Sequence, residues 1–221
     1  MDWRAQCAAV IPCLNEQDRV GPVVAGTLRY VSTVLVIDDG SSDQTTAAAE
    51  KAGAKVVRHP MTQGKGRALQ AGWQWCCHQG FSWSLTLDGD GQHSPEDIPA
   101  FFASAEHEHA ALVVGNRMSD PRHMPPIRRF VNHWMSSRLS EAAGQPLYDT
   151  QCGFRLMDLQ AWGCLHIQAA HFEIESEVLL AFAAARRPIR FVPIRVIYEN
   201  EQSKIRPLRD TLRWWRWWRR T

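Results

Sequence analysis

The run Leu85-Thr86-Leu87-Asp88-Gly89-Asp90-Gly91-Gln92-His93 passes abruptly from apolar residues to two carboxylates separated by one glycine. Residues two apart in extended chain project to the same side, so Asp88 and Asp90 can face one hard divalent cation, Mg2+ or Mn2+. Gly89 leaves room for a bulky polyanion to approach the backbone. Together these features describe a metal–diphosphate site. A polar turn rich in Asp and Gly is the ordinary alternative. A calcium loop of the EF-hand kind fails, because counting from Asp88 the glycine position holds His93 and the bidentate glutamate position holds Pro99. An aspartyl-phosphate nucleophile at Asp88 stays open on this stretch alone.

Positioning such a turn requires a strand before it, and the chain alternates strands with helices. Ala8 to Leu14 reads as a buried strand followed by Asn15-Glu16 and a helix-period segment through Leu28. Thr33 to Ile37 is a second continuous apolar strand; it ends in Asp38-Asp39-Gly40, with Ser42 or Asp43 placed to cap an Ala-rich helix. Lys55 to Arg58, Trp83 to Leu87, Ala111 to Val114 and Ile189 to Tyr198 are the further strands. Helices are expected from about Arg67 to His78, from the Ser94 N-cap with Pro95 to about His109, from Arg128 to Ala143 and from Phe172 to Arg186. Met118 to Pro126 reads as irregular and long enough for a lid, and Asp149 to Arg155 as a polar segment. This order predicts an α/β fold, a mostly parallel sheet with helices on both faces. Glu16, Asp38, Asp39, Asp88, Asp90 and Arg117 would then emerge at one sheet edge, where ligands gather. That coincidence argues against a merely decorative turn.

With 221 residues, 45% of them hydrophobic, the chain suits one sizeable domain. Six scattered cysteines without a Cys-x-x-Cys pair predict reduced thiols in the cytoplasm, and no apolar run predicts a signal peptide or membrane span. The net charge of +2 is unevenly placed: residues 204–221 hold seven basic side chains and the one acid Asp210, which leaves the rest net negative. A nucleic-acid surface is therefore not expected.

Taken together, VIPCLNE at 10–16, VIDDGSSD at 36–43, QGKGRA at 63–68, LTLDGDGQH at 85–93, GNR at 115–117 and DTQCGFR at 149–155 closely resemble the family 2 glycosyltransferases. The nearest subgroup includes dolichol-phosphate mannose synthase and the polyprenyl-phosphate sugar transferases. The resemblance implies a GT-A fold, Rossmann-like with a mixed sheet, over residues 1–203, and a nucleotide-diphosphate sugar donor. It implies that Pro12, Glu16 and Asp39 hold the nucleoside base, with Leu14, Asp38 and Lys65 beside them. Asp88 would serve the ribose and metal, and Asp90 and Gln92 the metal. Arg117, with Arg128 or Arg129 on the acceptor side, would neutralise diphosphate, a task that suits the planar guanidinium. Ser203 and Lys204 would meet an acceptor phosphate.

The implied reaction is sugar transfer with inversion at the anomeric carbon. A lipid-phosphate acceptor is already ionised and needs no strong base, leaving Asp149 to position; a hydroxyl acceptor needs Asp149, or Glu173 or Glu175, as base. A non-catalytic nucleotide-sugar binding subunit and a nucleotidyltransferase are the weaker alternatives. Residues 204–221 read as an amphipathic helix, with Arg209, Arg213, Arg216 and Arg220 in one stripe and Leu208, Trp214, Trp215 and Trp218 opposite. Such a helix suits an anionic membrane surface, which predicts a peripheral protein on the inner face of the cell membrane; packing on the protein's own core is the competing expectation.

Overall fold

The computed structural model of the chain describes residues 1–197 and 207–219. In chain order the elements are α1 (Trp3–Gln6), β1 (Cys7–Cys13), α2 (Val20–Thr27), β2 (Thr33–Asp38), α3 (Thr45–Lys51), β3 (Lys55–Arg58), α4 (Lys65–His78), β4 (Trp83–Thr86), α5 (Ile98–His107), β5 (Leu112–Asn116), α6 (Pro126–Ala143), β6 (Arg155–Asp158), α7 (Leu159–Gly163), α8 (Ile174–Ala184), β7 (Ile189–Pro193) and α9 (Pro207–Trp218). The strands form one sheet in the order β3-β2-β1-β4-β6-β5-β7. Neighbours pair in parallel, except that β6 runs antiparallel to both β4 and β5.

The unexpected strand is β6. Its sequence, Arg-Leu-Met-Asp, opens on a charge and is too short to show a period, so the polar segment before it hides it. The reversal has a direct consequence. An antiparallel β6 starts at the sheet edge where β4 and β5 end, so Asp149 to Gly153 arrives beside Asp88 and Arg117. A purely parallel sheet would have sent that segment to the opposite edge.

Other local expectations shift by smaller amounts. Met118 to Pro126 is not irregular: two 3-10 turns occupy Arg117–Ser119 and Pro121–His123, with the Asn116 and Asp120 side chains accepting from the N–H groups of Met118 and Arg122. Ser94 makes no side-chain cap, and a 3-10 turn at Pro95–Asp97 leads into α5. Asp43 rather than Ser42 accepts from the Thr45 N–H at the start of α3. The last strand stops at Pro193, after which Val196 bridges to His93.

The core is filled by β1, β2, β4 and β5 together with Phe101, Phe154 and Phe182, all fully buried; the Phe101 and Phe154 rings stack at 4.2 Å. Helix α4 crosses β1 at close range because Gly72 has no side chain: a Cβ there would stand 2.3 Å from Val10 Cγ1. Gly72→Ala is therefore expected to lower stability by about 1–3 kcal/mol through overpacking. Adding Val10→Ala should return part of the loss in the same urea titration.

Candidate active site

Strand β4 delivers buried Leu87 and then Asp88 to the sheet edge. Gly89 turns out to be required by packing: a Cβ there would lie 2.4 Å from Cys13 Sγ at the end of β1. The room expected for a polyanion is thus occupied by the neighbouring strand. Asp90 Oδ1 accepts the Gln92 N–H at 3.0 Å, and Gly91 takes a φ of 77°. His93, to which the sequence gives no role, closes the turn. Its Nδ1 accepts from the Asp88 N–H at 3.4 Å, its ring lies 5.3 Å from that of Phe154, and Nε2 is 4.0 Å from Cys152 Sγ. Burial pushes the imidazole pKa down to about 4, so His93 is neutral and serves as a wedge.

Lys65, at the first position of α4, bridges two acids. Its Nζ is 2.6 Å from Asp88 Oδ1 and 2.8 Å from Glu175 Oε1 on the first turn of α8. Gly153 covers the pair so closely that a Cβ would stand 2.8 Å from Asp88 Oδ2 and 2.9 Å from Lys65 Nζ. Burial works to raise the Asp88 pKa, and the Lys65 charge outweighs it, holding the carboxyl at about 2. Burial likewise works against the ammonium, but the two carboxylates keep Lys65 above the usual lysine range. The lysine expected beside the nucleotide is the counter-ion of the acidic turn.

A second ion pair stands opposite. Asp149, fully buried, accepts from Arg117 Nε and Nη2 at 2.8 Å each, from the Arg117 N–H at 2.9 Å and from Asn132 Nδ2 at 2.7 Å. Burial raises its pKa, yet Arg117 and these donors bring it below the ordinary aspartate value. All these donors converge on an ionised carboxylate that already has a cation, an arrangement that fixes the orientation of the Arg117 guanidinium. Asn132 and Ser136 sit one turn apart on the buried stripe of α6, and Ser136 Oγ also accepts from the Thr150 N–H. Two polar residues inside that stripe were the signal in the sequence that could have found them.

Arg155 fastens the segment between the two pairs. Its guanidinium is buried and donates to the carbonyls of Cys152, Thr150 and Glu175 at 2.8, 3.1 and 2.7 Å. The fork thus ties β6, the incoming loop and α8 together.

The ends of β1 and β2 form the remaining wall. Pro12 and Leu14 are half-buried, and Glu16 is buried with its N–H on Thr45 Oγ1. Asp39 accepts from the N–H groups of Gln63 and Gly64 and lies 2.8 Å from His59 Nδ1, which fixes the loop before α4. Asp38, expected beside the nucleoside, is fully buried and held by Ser41 and Thr46, so that it braces the turn. On α6, Arg128 lies one turn before Asn132 on the side toward Asp149, whereas Arg129 is exposed. Ser203 and Lys204 lie outside the described residues.

Helix α9 docks on the protein. Trp214 is buried, with its Nε1 donating to Ser176 Oγ at 2.9 Å and its ring 5.5 Å from Trp134. Trp217 and Trp218 pack partly buried against the core, while Leu212, Trp215, Arg216 and Arg219 face outward. The tryptophan stripe expected on a membrane is thus mostly spent on α6 and α8.

Among the described residues no three His, Cys, Asp or Glu side chains are arranged to hold a metal alone. The donors present fit Mg2+ or Mn2+ in a different way. Asp88, Asp90 and Gln92 supply hard oxygens on one turn, and Asp88 is held ionised; one or two carboxylates completed by substrate phosphates is the usual arrangement for Mg2+.

Residues 8–162 match the family described as Glycosyl transferase family 2. An undecaprenyl-phosphate mannosyltransferase of Micrococcus luteus is 30% identical over 210 residues, covering 87% of this chain and 83% of its own length. A UDP-N-acetylglucosamine--dolichyl-phosphate N-acetylglucosaminyltransferase of Methanococcus voltae is 26% identical over 212 residues, covering 86% and 84%. Among solved structures, glucosyl-3-phosphoglycerate synthase from Mycobacterium tuberculosis with Mn2+, UDP and phosphoglyceric acid superposes with a TM-score of 0.75 at 21% identity, over 96% of this chain and 75% of that one. That likeness establishes the GT-A fold.

Removing the shared cation should expose its role. Lys65→Met leaves buried Glu175 and half-buried Asp88 uncompensated and is expected to cost about 3–5 kcal/mol at neutral pH. The folded pKa of Asp88 lies below its unfolded value, so its contribution in the wild type is complete above roughly pH 4 and fades as pH falls toward 2. The stability gap between wild type and variant should therefore be widest near neutrality and close in acid, as read by urea unfolding across that range.

Proposed function

The chain belongs to glycosyl transferase family 2, and from that membership we propose that it moves a sugar from a nucleotide-diphosphate sugar onto the phosphate of a polyprenyl carrier lipid, with inversion at the anomeric carbon. One observation carries the choice of acceptor. The carboxylates around the site, half-buried Asp88 and buried Glu175 and Asp149, are each paired with a cation, and the ring of buried His93 has Nδ1 on the Asp88 N–H and Nε2 beside Cys152 Sγ. A hydroxyl acceptor needs a base there; a phosphate, with its second pKa near 6, is already a nucleophile at neutral pH. The names of the polyprenyl-phosphate relatives support the same class of acceptor.

In this reading the donor lies across the sheet edge. Pro12, Leu14, Glu16 and Asp39 border the nucleoside, and Asp39 acts through the loop it pins. Asp88, Asp90 and Gln92 would hold Mg2+ or Mn2+, which when bound neutralises the diphosphate and makes it a better leaving group. Lys65 keeps Asp88 ionised. Arg117, presented by Asp149, stabilises negative charge on the departing phosphate, and Arg128 or Arg129 receives the acceptor phosphate from the other side. Ser203 and Lys204 are proposed as further acceptor contacts. An acceptor of this kind places the protein on the inner face of the cell membrane. No helix among the described residues is long and apolar enough to cross a bilayer.

The test supplies UDP- and GDP-sugars with Mg2+ or Mn2+ to the purified chain and offers either a polyprenyl phosphate or the corresponding polyprenol. Product should form with the phosphate alone and vanish with EDTA. Equal transfer to the alcohol would reverse the acceptor assignment. Arg117→Ala should reduce kcat by about 10²–10³-fold, the usual effect of losing a preorganised charge-stabilising donor. Asp149→Asn should lower kcat while leaving the pH–rate profile unchanged between pH 6 and about 9, because an orienting carboxylate does not titrate there.

A further inference from the structure

We propose that the outer face of α6, with the outer face of α9 beside it, is the surface by which the protein lies on an anionic bilayer. Three of the large apolar side chains left in solvent line up on α6: Ile127 is 73% exposed, Phe130 72% and Trp134 38%, at i, i+3 and i+7 along one stripe. The opposite stripe of the same helix is buried, including Asn132 and Ser136 at the site. Exposed isoleucine and phenylalanine adjoining an exposed tryptophan form a wedge of the size that enters the boundary between headgroups and acyl chains.

Charge identifies the partner. Between Pro121 and Ser140 there are four arginines and no acid, but Arg122 pairs with Asp120 and Arg138 with Glu141 just outside that run, and Arg128 turns toward the site, so Arg129 beside Phe130 is the cation that α6 brings to its outer face. Trp134 packs on Trp214, so α9 continues the surface, and its outward side adds Trp215, Arg216 and Arg219; the Arg219 guanidinium lies 4.7 Å from the Trp215 ring centroid. Arginine beside tryptophan at the rim of an apolar wedge suits phosphate headgroups. A second copy docking on this face would set arginine against arginine, which disfavours self-association. The inner side of α6 holds Asp149, and Asp149 holds Arg117, so a lipid phosphate would reach the arginine within about one helix diameter of the bilayer. This surface rests on the proposed lipid acceptor for its purpose but not for its evidence.

The experiment uses the full chain and phosphatidylcholine vesicles with or without phosphatidylglycerol, free of any polyprenyl lipid. Wild-type protein should sediment with the anionic vesicles, less so in high salt. Ile127→Ser with Phe130→Ser should weaken that binding about tenfold or more, since two exposed apolar side chains lose their burial in lipid. The melting temperature and the thermal shift given by nucleotide sugars should not change. Arg216→Ser with Arg219→Ser should remove part of the salt dependence and leave the apolar part. The proposal is overturned by equal binding of wild type and the Ile127/Phe130 variant, by no wild-type binding to anionic vesicles, or by a wild-type dimer that this variant dissociates. Transfer to a short, water-soluble isoprenyl phosphate is measured separately. Vesicle binding without transfer would refute the acceptor reading alone; transfer without vesicle binding would refute the surface alone.

Discussion

Two carboxylates close together at one sheet edge, one half-buried and one buried, would repel each other; Lys65 removes that conflict. With Nζ 2.6 Å from Asp88 and 2.8 Å from Glu175, it lets the acidic turn stay ionised out of full contact with water. Three separate parts of the chain meet at that ammonium: the end of β4, the start of α4 and the start of α8. Gly153 closes over it with no space for a methyl group. Donor chemistry at Asp88 thus depends on a contact made by α8, an element far away in sequence.

The neighbouring residues Glu175 and Ser176 give this contact a wider reach. Glu175 faces Lys65, while Ser176 accepts from Trp214 of α9. One turn of α8 therefore carries both the second carboxylate on Lys65 and the anchor of the C-terminal helix. On the other side, α6 does similar double service: Asn132 faces Asp149 while Ile127 and Phe130 face solvent. The site is held between α6 and α8, and Trp214 of α9 packs on both.

Legibility in the sequence varied with how local the signal was. The parallel strands β1, β2, β4 and β5 were plain as continuous apolar runs, each ending in charge, and the six motifs carried the family. The turn at Asp88 was found with its neighbours Asp90 and Gln92. Asp149 and Arg117 were found as well, but not that each completes the other. Strand β6 was missed because its leading residue is a buried arginine, whose acceptance in the core rests on three carbonyls contributed by distant segments. The tryptophans of α9 were read as one face, and helical geometry alone does not say whether such a face meets lipid or protein.

The sequence by itself determined the periodicities, the acidic turn after a buried strand and the basic stretch at 204–221, because these depend on residues a few positions apart. Tertiary structure decided which charges neutralise which: Lys65 with Asp88 and Glu175, and Arg117 with Asp149. The reason is topological. One antiparallel strand between β4 and β5 reverses the direction of the chain, bringing residues 149–153 to the edge that Asp88 and Arg117 share. Pairing in a low-dielectric site then follows from proximity that no local pattern encodes.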